Sequence, residues 1–243
     1  MNAFLKLAAC CGIIAGSGAA TGAELTLRST AARTHLLELY TSEGCSSCPP
    51  AEKWMSGLKT SPRLWKEIVP VAFHVDYWDR LGWPDRFASK AHTDRQRAYA
   101  AAWGSATVYT PGFVLDGREW RDRSIEQIPA PDGAAGVLSA TIRDRKTVAV
   151  TFAPSRAGKW EAHVAVLGFG MNSDVKAGEN SGRKLQHDFA VLAHEMKAMA
   201  LEDGSARVEI PTPQLGTAGE LGVAVWITEA GKPTPVQAVG GKL

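Results

Sequence analysis

The sequence predicts an α/β fold in its first half and an antiparallel, β-rich second half. Three observations carry this reading. Over residues 24–143, strand-like apolar runs alternate with stretches of helical spacing. From about Lys146 onward, short strand-like runs follow one another, separated by Gly, Pro, Ser and Asp. Hydrophobic residues make up 45% of 243, ample for a packed core.

The first stretch stands apart. "MNAFLKLAACCGIIAGSGAATGA" carries a single Lys6, an apolar run and small residues ending at Ala23, the layout of a secretory signal peptide. Its apolar run is short for a bilayer core of about 30 Å. "LAAC" resembles a lipoprotein cleavage box but follows Lys6 too closely to leave an apolar stretch before it. The expected organisation is a signal peptide at 1–23, an α/β domain at 24–143 and a β-rich domain at 144–243, in a periplasmic or secreted protein. No later segment is apolar enough to span a membrane. The formal charge is +2, from 27 basic and 25 acidic residues, which gives no reason to expect nucleic acid or an anionic membrane as partner.

Leu36–Tyr40, "LLELY", reads as a short buried strand. "PPAEKWMSGL" reads as a helix with Trp54, Met55 and Leu58 at helical spacing, and its two prolines fit a first turn whose N–H groups lack internal partners. "IVPVAFHVDYW", Ile68–Trp78, is a second strand rich in β-branched and aromatic residues. "SKAHTDRQRAYAAAWG" is an Ala-rich helix closed by Gly104. "TPGFVLDGREW" reads as a hairpin turning at Asp116-Gly117. A loop follows over Ile128–Gly136, and "AAGVLSATIRD" is expected to form a terminal helix after Asp132. The second half reads as a sandwich of some six strands, from "KTVAVTF", "KWEAHVAVLGF", "KLQHDFAVLAH", "ARVEIPT" and "LGVAVWITEAG", with "HEMKAMALED" as a possible helix.

If the signal is cleaved, Cys10 and Cys11 leave and only Cys45 and Cys48 remain. A bridge between them closes too short a loop to constrain the unfolded chain much. The pair is therefore read as chemistry. A strand running into C-x-x-C at a helix start stabilises a thiolate through unpaired N–H groups and the helix dipole. Cys45 is expected to be the exposed nucleophile, and Cys48 to resolve the mixed disulfide. Thr110-Pro111 stands just before the hairpin, where thioredoxin-like proteins place a cis-proline opposite C-x-x-C; Thr110 would pair with an extended substrate backbone. In thioredoxins a buried acidic residue near this place moves protons to and from the inner cysteine; Glu38, seven residues before Cys45 and one residue further away than in thioredoxin, is given that role by this likeness. His74 and Asp76 alternate with apolar neighbours and share one strand face, close to the sulfurs. Trp78 and Trp83, in "DYWDRLGWPDRF", are expected to wall the substrate site. No H-E-x-x-H, phosphate-loop or G-x-S-x-G pattern is present. No cofactor is expected, and no metal is assigned.

"ELYTSEGCSSCPPAE", "VAFHVDYWDRLGWPDRFAS", "RQRAYA", "VYTPGFVLDG" and, further on, "GENSGRKLQHDF" resemble the bacterial secreted proteins of domain-of-unknown-function family 1223. The resemblance implies a thioredoxin-like fold for the first domain and export of the chain. Asp122–Ala135 departs from that pattern by being Pro-rich, and Gly44 stands where thioredoxin itself has Trp before the first cysteine. The leading expectation is an exported thiol–disulfide oxidoreductase acting on thiol- or disulfide-containing proteins or small thiols. The alternatives are a copper-binding protein using Cys45, Cys48 and His74, and a non-catalytic interaction module.

Overall fold

A computed structural model describes residues 24–121, 124–131, 133–143, 147–202, 205–211 and 219–243. The expected signal peptide, with Cys10 and Cys11, lies outside the described residues. In chain order the elements are β1 (Glu24–Arg28), β2 (His35–Thr41), α1 (Pro49–Gly57), β3 (Ile68–Val75), β4 (Ala88–Ser89), α2 (Lys90–Ala102), β5 (Gly112–Leu115), β6 (Arg118–Glu119), β7 (Gly136–Arg143), β8 (Thr147–Pro154), β9 (Trp160–Phe169), β10 (Met171–Asp174), β11 (Lys184–His187), β12 (Ala190–Ala198), β13 (Ala200–Glu202), β14 (Ser205–Pro211), β15 (Glu220–Glu229) and β16 (Pro235–Lys242). The chain is mixed α/β, mostly sheet with few helices.

β2 is buried along its whole length, which a strand tolerates only where both sheet faces are covered. It pairs in parallel with β3 (Leu39 opposite Ala72) and antiparallel with β5 (Leu39 opposite Phe113). Alternation sends Thr41 to the α1 face, where it meets Glu52. Glu38 and Tyr40 go to the α2 face, where they meet Arg95 and Tyr99. α1 starts with Pro49 and Pro50, with Cys48 as its N-cap residue. α2 is capped by Ser89, whose hydroxyl accepts from the His92 N–H. The β5–β6 turn has positive φ at Asp116 and Gly117, as a two-residue hairpin turn requires.

The sheet does not stop where the first half ends. Its order is β16-β15-β9-β12-β3-β2-β5-β6, so strands from both halves form one surface. The seam is Ala190 beside Ala72, reinforced by the Ala72 N–H donating to Phe189 O at 2.9 Å. A second sheet, β1-β7-β8-β14-β13, covers one face of β9 and β15. Leu138, Ile142, Val150 and Phe152 pack there against Trp160, Val164, Val225 and Ile227. The opposite face of β9 and β15, through Leu167, Phe169 and Trp226, joins the core around β2 and β3.

Three local expectations are corrected. Within "AAGVLSATIRD", Gly136–Arg143 is strand β7, not a helix, and Asp144 lies outside the described residues; Leu138, Ala140 and Ile142 point inward with period two and pair along β8. Of "HEMKAMALED", residues 194–198 lie in strand β12 and residues 200–202 in β13, because pairing with β9 and β14 overrides the helix preference of Ala, Glu, Met and Lys; Asp203 lies outside the described residues. The strand expected to reach Trp78 ends at Val75 and turns into a 3₁₀ helix over Asp76–Leu81. Among the described residues no helix is long and apolar enough to cross a membrane.

Candidate functional site

Cys45 and Cys48 form a disulfide between the end of β2 and the start of α1, with Cα atoms 5.5 Å apart. The local chain is wound by short bonds: the Cys45 N–H donates to Ser42 O, and the Cys48 N–H to Cys45 O. Ser46 and Ser47 are exposed, but both cysteines are fully buried. This corrects the expectation of an exposed Cys45. The loop between β10 and β11 is bonded to this segment. Glu179 accepts from the Ser46 N–H at 3.0 Å and from its hydroxyl at 2.7 Å. The buried Asn180 amide donates to Glu43 O and Cys45 O, both at 2.9 Å.

Gly44 is required by packing. A Cβ there would stand 2.9 Å from the Trp78 Cβ. Trp78 in turn donates from Nε1 to Thr110 Oγ1 at 2.8 Å, which links the cysteine loop to the Thr110-Pro111 bond. That bond is cis. Pro111 borders an open groove with Tyr109, Phe113, Trp120 and Arg121. Trp83 is tied inward, donating to Glu43 Oε2 at 2.6 Å.

Two expected residues are not where their roles required. Glu38 points to the α2 face, away from α1. It accepts a fork from Arg95 at 2.7 and 3.0 Å and the hydroxyls of Tyr40 and Tyr99 at 2.9 and 2.5 Å. These bonds anchor it in the core, and none of them runs to either cysteine. Asp76 accepts from Thr93 at 2.6 Å and does not pair with His74, because the strand ends between them.

His74 instead belongs to a buried carboxylate–histidine cluster on the α1 face. Its Nδ1 lies 2.7 Å from Asp85 Oδ2. His187, from β11, lies 2.5 Å from Glu52 Oε2 through Nδ1 and 3.1 Å from Glu43 Oε1 through Nε2. Burial disfavours a charged His187, but the two carboxylates outweigh it and raise its pKa to about 10. Burial pushes Glu43 up; bonds from His187, Ser173 and Trp83 bring it below the usual carboxylate range. Asp85 is likewise lowered, as His74 and the N–H groups of Glu43 and Phe87 outweigh its burial. Glu43 precedes Cys45 by two residues, and Glu52 follows Cys48 by one helical turn, so the cluster adjoins the disulfide from both sides. Sequence reasoning missed Glu43, Glu52, Asp85, Glu179, Asn180 and His187 as members of this site. The one signal available was that "GENSGRKLQHDF" carries Glu179, Asn180 and His187 together.

Fold and site thus define a mixed α/β protein that holds a C-x-x-C disulfide at the end of a central strand, above a buried charged cluster. The chain belongs to the DUF1223 family of proteins of unknown function, whose model matches residues 36–228. No curated protein matches it by sequence. Among solved structures it is similar to protein AGR_C_4864 from Agrobacterium tumefaciens, at 25% identity and a TM-score of 0.62, covering 88% of this chain and 96% of that one. It is also similar in fold to HBP35 of Porphyromonas gingivalis, at 14% identity and a TM-score of 0.58, covering 88% of this chain and 76% of that one.

Proposed function

We propose that the protein is an exported thiol–disulfide oxidoreductase whose working groups are Cys45 and Cys48. The observation that carries this reading is the disulfide itself, set between a central strand and a Pro-started helix and linked through Trp78 to the cis Thr110-Pro111 bond. The strand order β3-β2-β5-β6, with one helix on each face, supports a thioredoxin-like first domain. In the oxidised form, a substrate thiolate attacks one sulfur of the pair and forms a mixed disulfide. A second substrate thiol then displaces the enzyme sulfur. The substrate leaves as a disulfide, and Cys45 and Cys48 carry two electrons and two protons as thiols. In the reverse direction the Cys45 thiolate attacks a substrate disulfide and Cys48 resolves it. The groove at Pro111 receives the substrate backbone, and the Glu179–Asn180 cover moves aside to admit it.

Two measurements test this. Cys45→Ser is expected to abolish disulfide exchange with insulin or glutathione, and retained exchange would overturn the reading. Equilibration with glutathione buffers gives the potential of the pair. A value of about −120 to −200 mV marks an oxidant or isomerase, and one near about −270 mV a reductant. A pair that stays closed until the protein is denatured is a structural bridge, and the enzyme reading then fails.

A further inference from the structure

We propose that Glu52, His74 and His187 form a binding site for a divalent ion of the zinc class, separate from the cysteine sulfurs. One ligand atom from each lies within 4.8 Å of the other two, and all three residues are buried. The proposal goes beyond the thiol-exchange reading and stands independently of it.

The strongest observation is an orphan. His74 Nε2 is buried and meets no hydrogen-bond partner, although the rest of its ring is fixed in place. A buried polar atom without a partner is rare and calls for a reason. Asp85 occupies Nδ1, so Nε2 is the nitrogen left to coordinate.

The other two ligands repeat this pattern. Each has an orienting partner on its outer atom and an inner atom turned towards the same place. His187 is held at Nε2 by Glu43 and turns Nδ1 to Glu52. Glu52 is held at Oε1 by the Thr41 hydroxyl at 2.5 Å and turns Oε2 to His187. A histidine bound on its far side by a carboxylate is the usual support of a metal-ligating imidazole. Here two such pairs converge on one carboxylate. A proton between His187 and Glu52 accounts for that contact alone and leaves His74 Nε2 unexplained. An ion in that proton's place engages all three, and one proton leaves as it binds.

Charge points the same way. Among the described residues no Lys or Arg forms an ion pair with Glu43, Glu52 or Asp85; their ion-pair partners are His187 and His74. A dication therefore enters a carboxylate-rich pocket. Two imidazoles and one carboxylate suit zinc, which takes such ligands at about 2.0–2.2 Å in a tetrahedron with an open fourth position. Calcium and magnesium prefer all-oxygen shells, and Cu(I) prefers thiolates. To hold the ion, His187 and Glu52 part and His74 draws in.

The test uses the purified protein with its disulfide closed, stripped of metal and titrated with Zn²⁺ by calorimetry and with Co²⁺ by visible absorption. One ion per chain is expected, with a tetrahedral cobalt spectrum free of sulfur charge transfer. His74→Ala should weaken Zn²⁺ binding by about 100-fold or more, and Asp85→Asn by about 10–100-fold through the lost orientation of His74. A chain with both cysteines changed to Ser should bind as before. The proposal is overturned by failure of the native chain to bind Zn²⁺, by a sulfur band, or by unchanged affinity in a folded His74→Ala variant. Should that variant not fold, X-ray absorption on the zinc-loaded native protein decides. Two imidazoles with oxygen support the site; a sulfur or all-oxygen shell rejects it.

Discussion

Glu38 and Arg95 show how a single residue changes meaning once its surroundings are known. Both side chains are buried, and Arg95 also lies over the rings of Phe73, Tyr99 and Trp226. Removing one partner of such a pair leaves an uncompensated charge in the core, at a cost of about 3–5 kcal/mol. Arg95→Met is therefore expected to lower the unfolding free energy by that order in a denaturant titration. Glu38→Gln should also destabilise, yet leave the thiol-exchange rate per folded molecule unchanged. A selective loss of exchange at full stability would show instead that Glu38 carries protons for the cysteine pair. The cysteines and Pro111 were legible because their signals are local: a three-residue spacing, and a proline placed just before a hairpin. The acid partner was not, since strand alternation from Glu38 to Thr41 decides which face meets α1.

At the scale of elements, the segment between β10 and β11 is bonded to the cysteine loop through Glu179 and Asn180. Its grip is the Asn180 amide, which satisfies two backbone carbonyls of the cysteine loop while its own carbonyl accepts from Arg183. Asn180→Ala leaves those carbonyls without their donor, a cost of about 1–3 kcal/mol in the closed arrangement. That corresponds to an open population raised by roughly 5- to 150-fold. Reduced Cys45 should accordingly react faster with iodoacetamide in Asn180→Ala than in the native chain. Equal rates would mean that the segment does not gate the site. Helix α1 and the hairpin were readable from proline placement and Asp-Gly. β7 was read as helix, and the end of β12 with β13 as a possible helix, because Ala, Leu and Met serve both periods; only pairing with β8, β9 and β14 settles which applies.

At the scale of the whole molecule, the shared sheet makes the two halves interdependent. Leu167, Phe169, Phe189 and Trp226 from the second half complete the core around β2 and β3. Gln237 of β16 accepts from the Thr34 N–H and donates to the carbonyls of Thr30, Ala32 and Gly136. A fragment ending at residue 143 is expected to lack a cooperative unfolding transition; a sharp one would show the first half to be autonomous. The same core sets a pH dependence. His163 of β9 and His194 of β12 lie nearly parallel to the Trp226 ring, with Arg95 and His92 of α2 and Phe73 of β3 packed around them. Burial and the Arg95 charge hold His163 well below 6.5 and His194 at about 3. Both stay neutral in the fold while the unfolded chain takes up protons near 6.5. Their contribution to stability is thus complete above about 6.5 and is lost as pH falls towards about 3. Melting temperatures should drop across that window, and His194→Phe should flatten part of the slope.

By itself the sequence determined the alternation of strand and helix in the first half, the β-rich second half, the cysteine pair at a helix start and the proline before the hairpin. Each is a short-range pattern, set by side-chain period, turn chemistry or the missing N–H of proline. Tertiary structure alone decided that β12 joins β3 into one sheet and that Glu38 faces Arg95. It also brought Glu43, Glu52, His74, Asp85 and His187 together beside the disulfide. His187 stands 135 residues from Glu52. No local pattern joins residues so far apart; only the packing of β11 against α1 does.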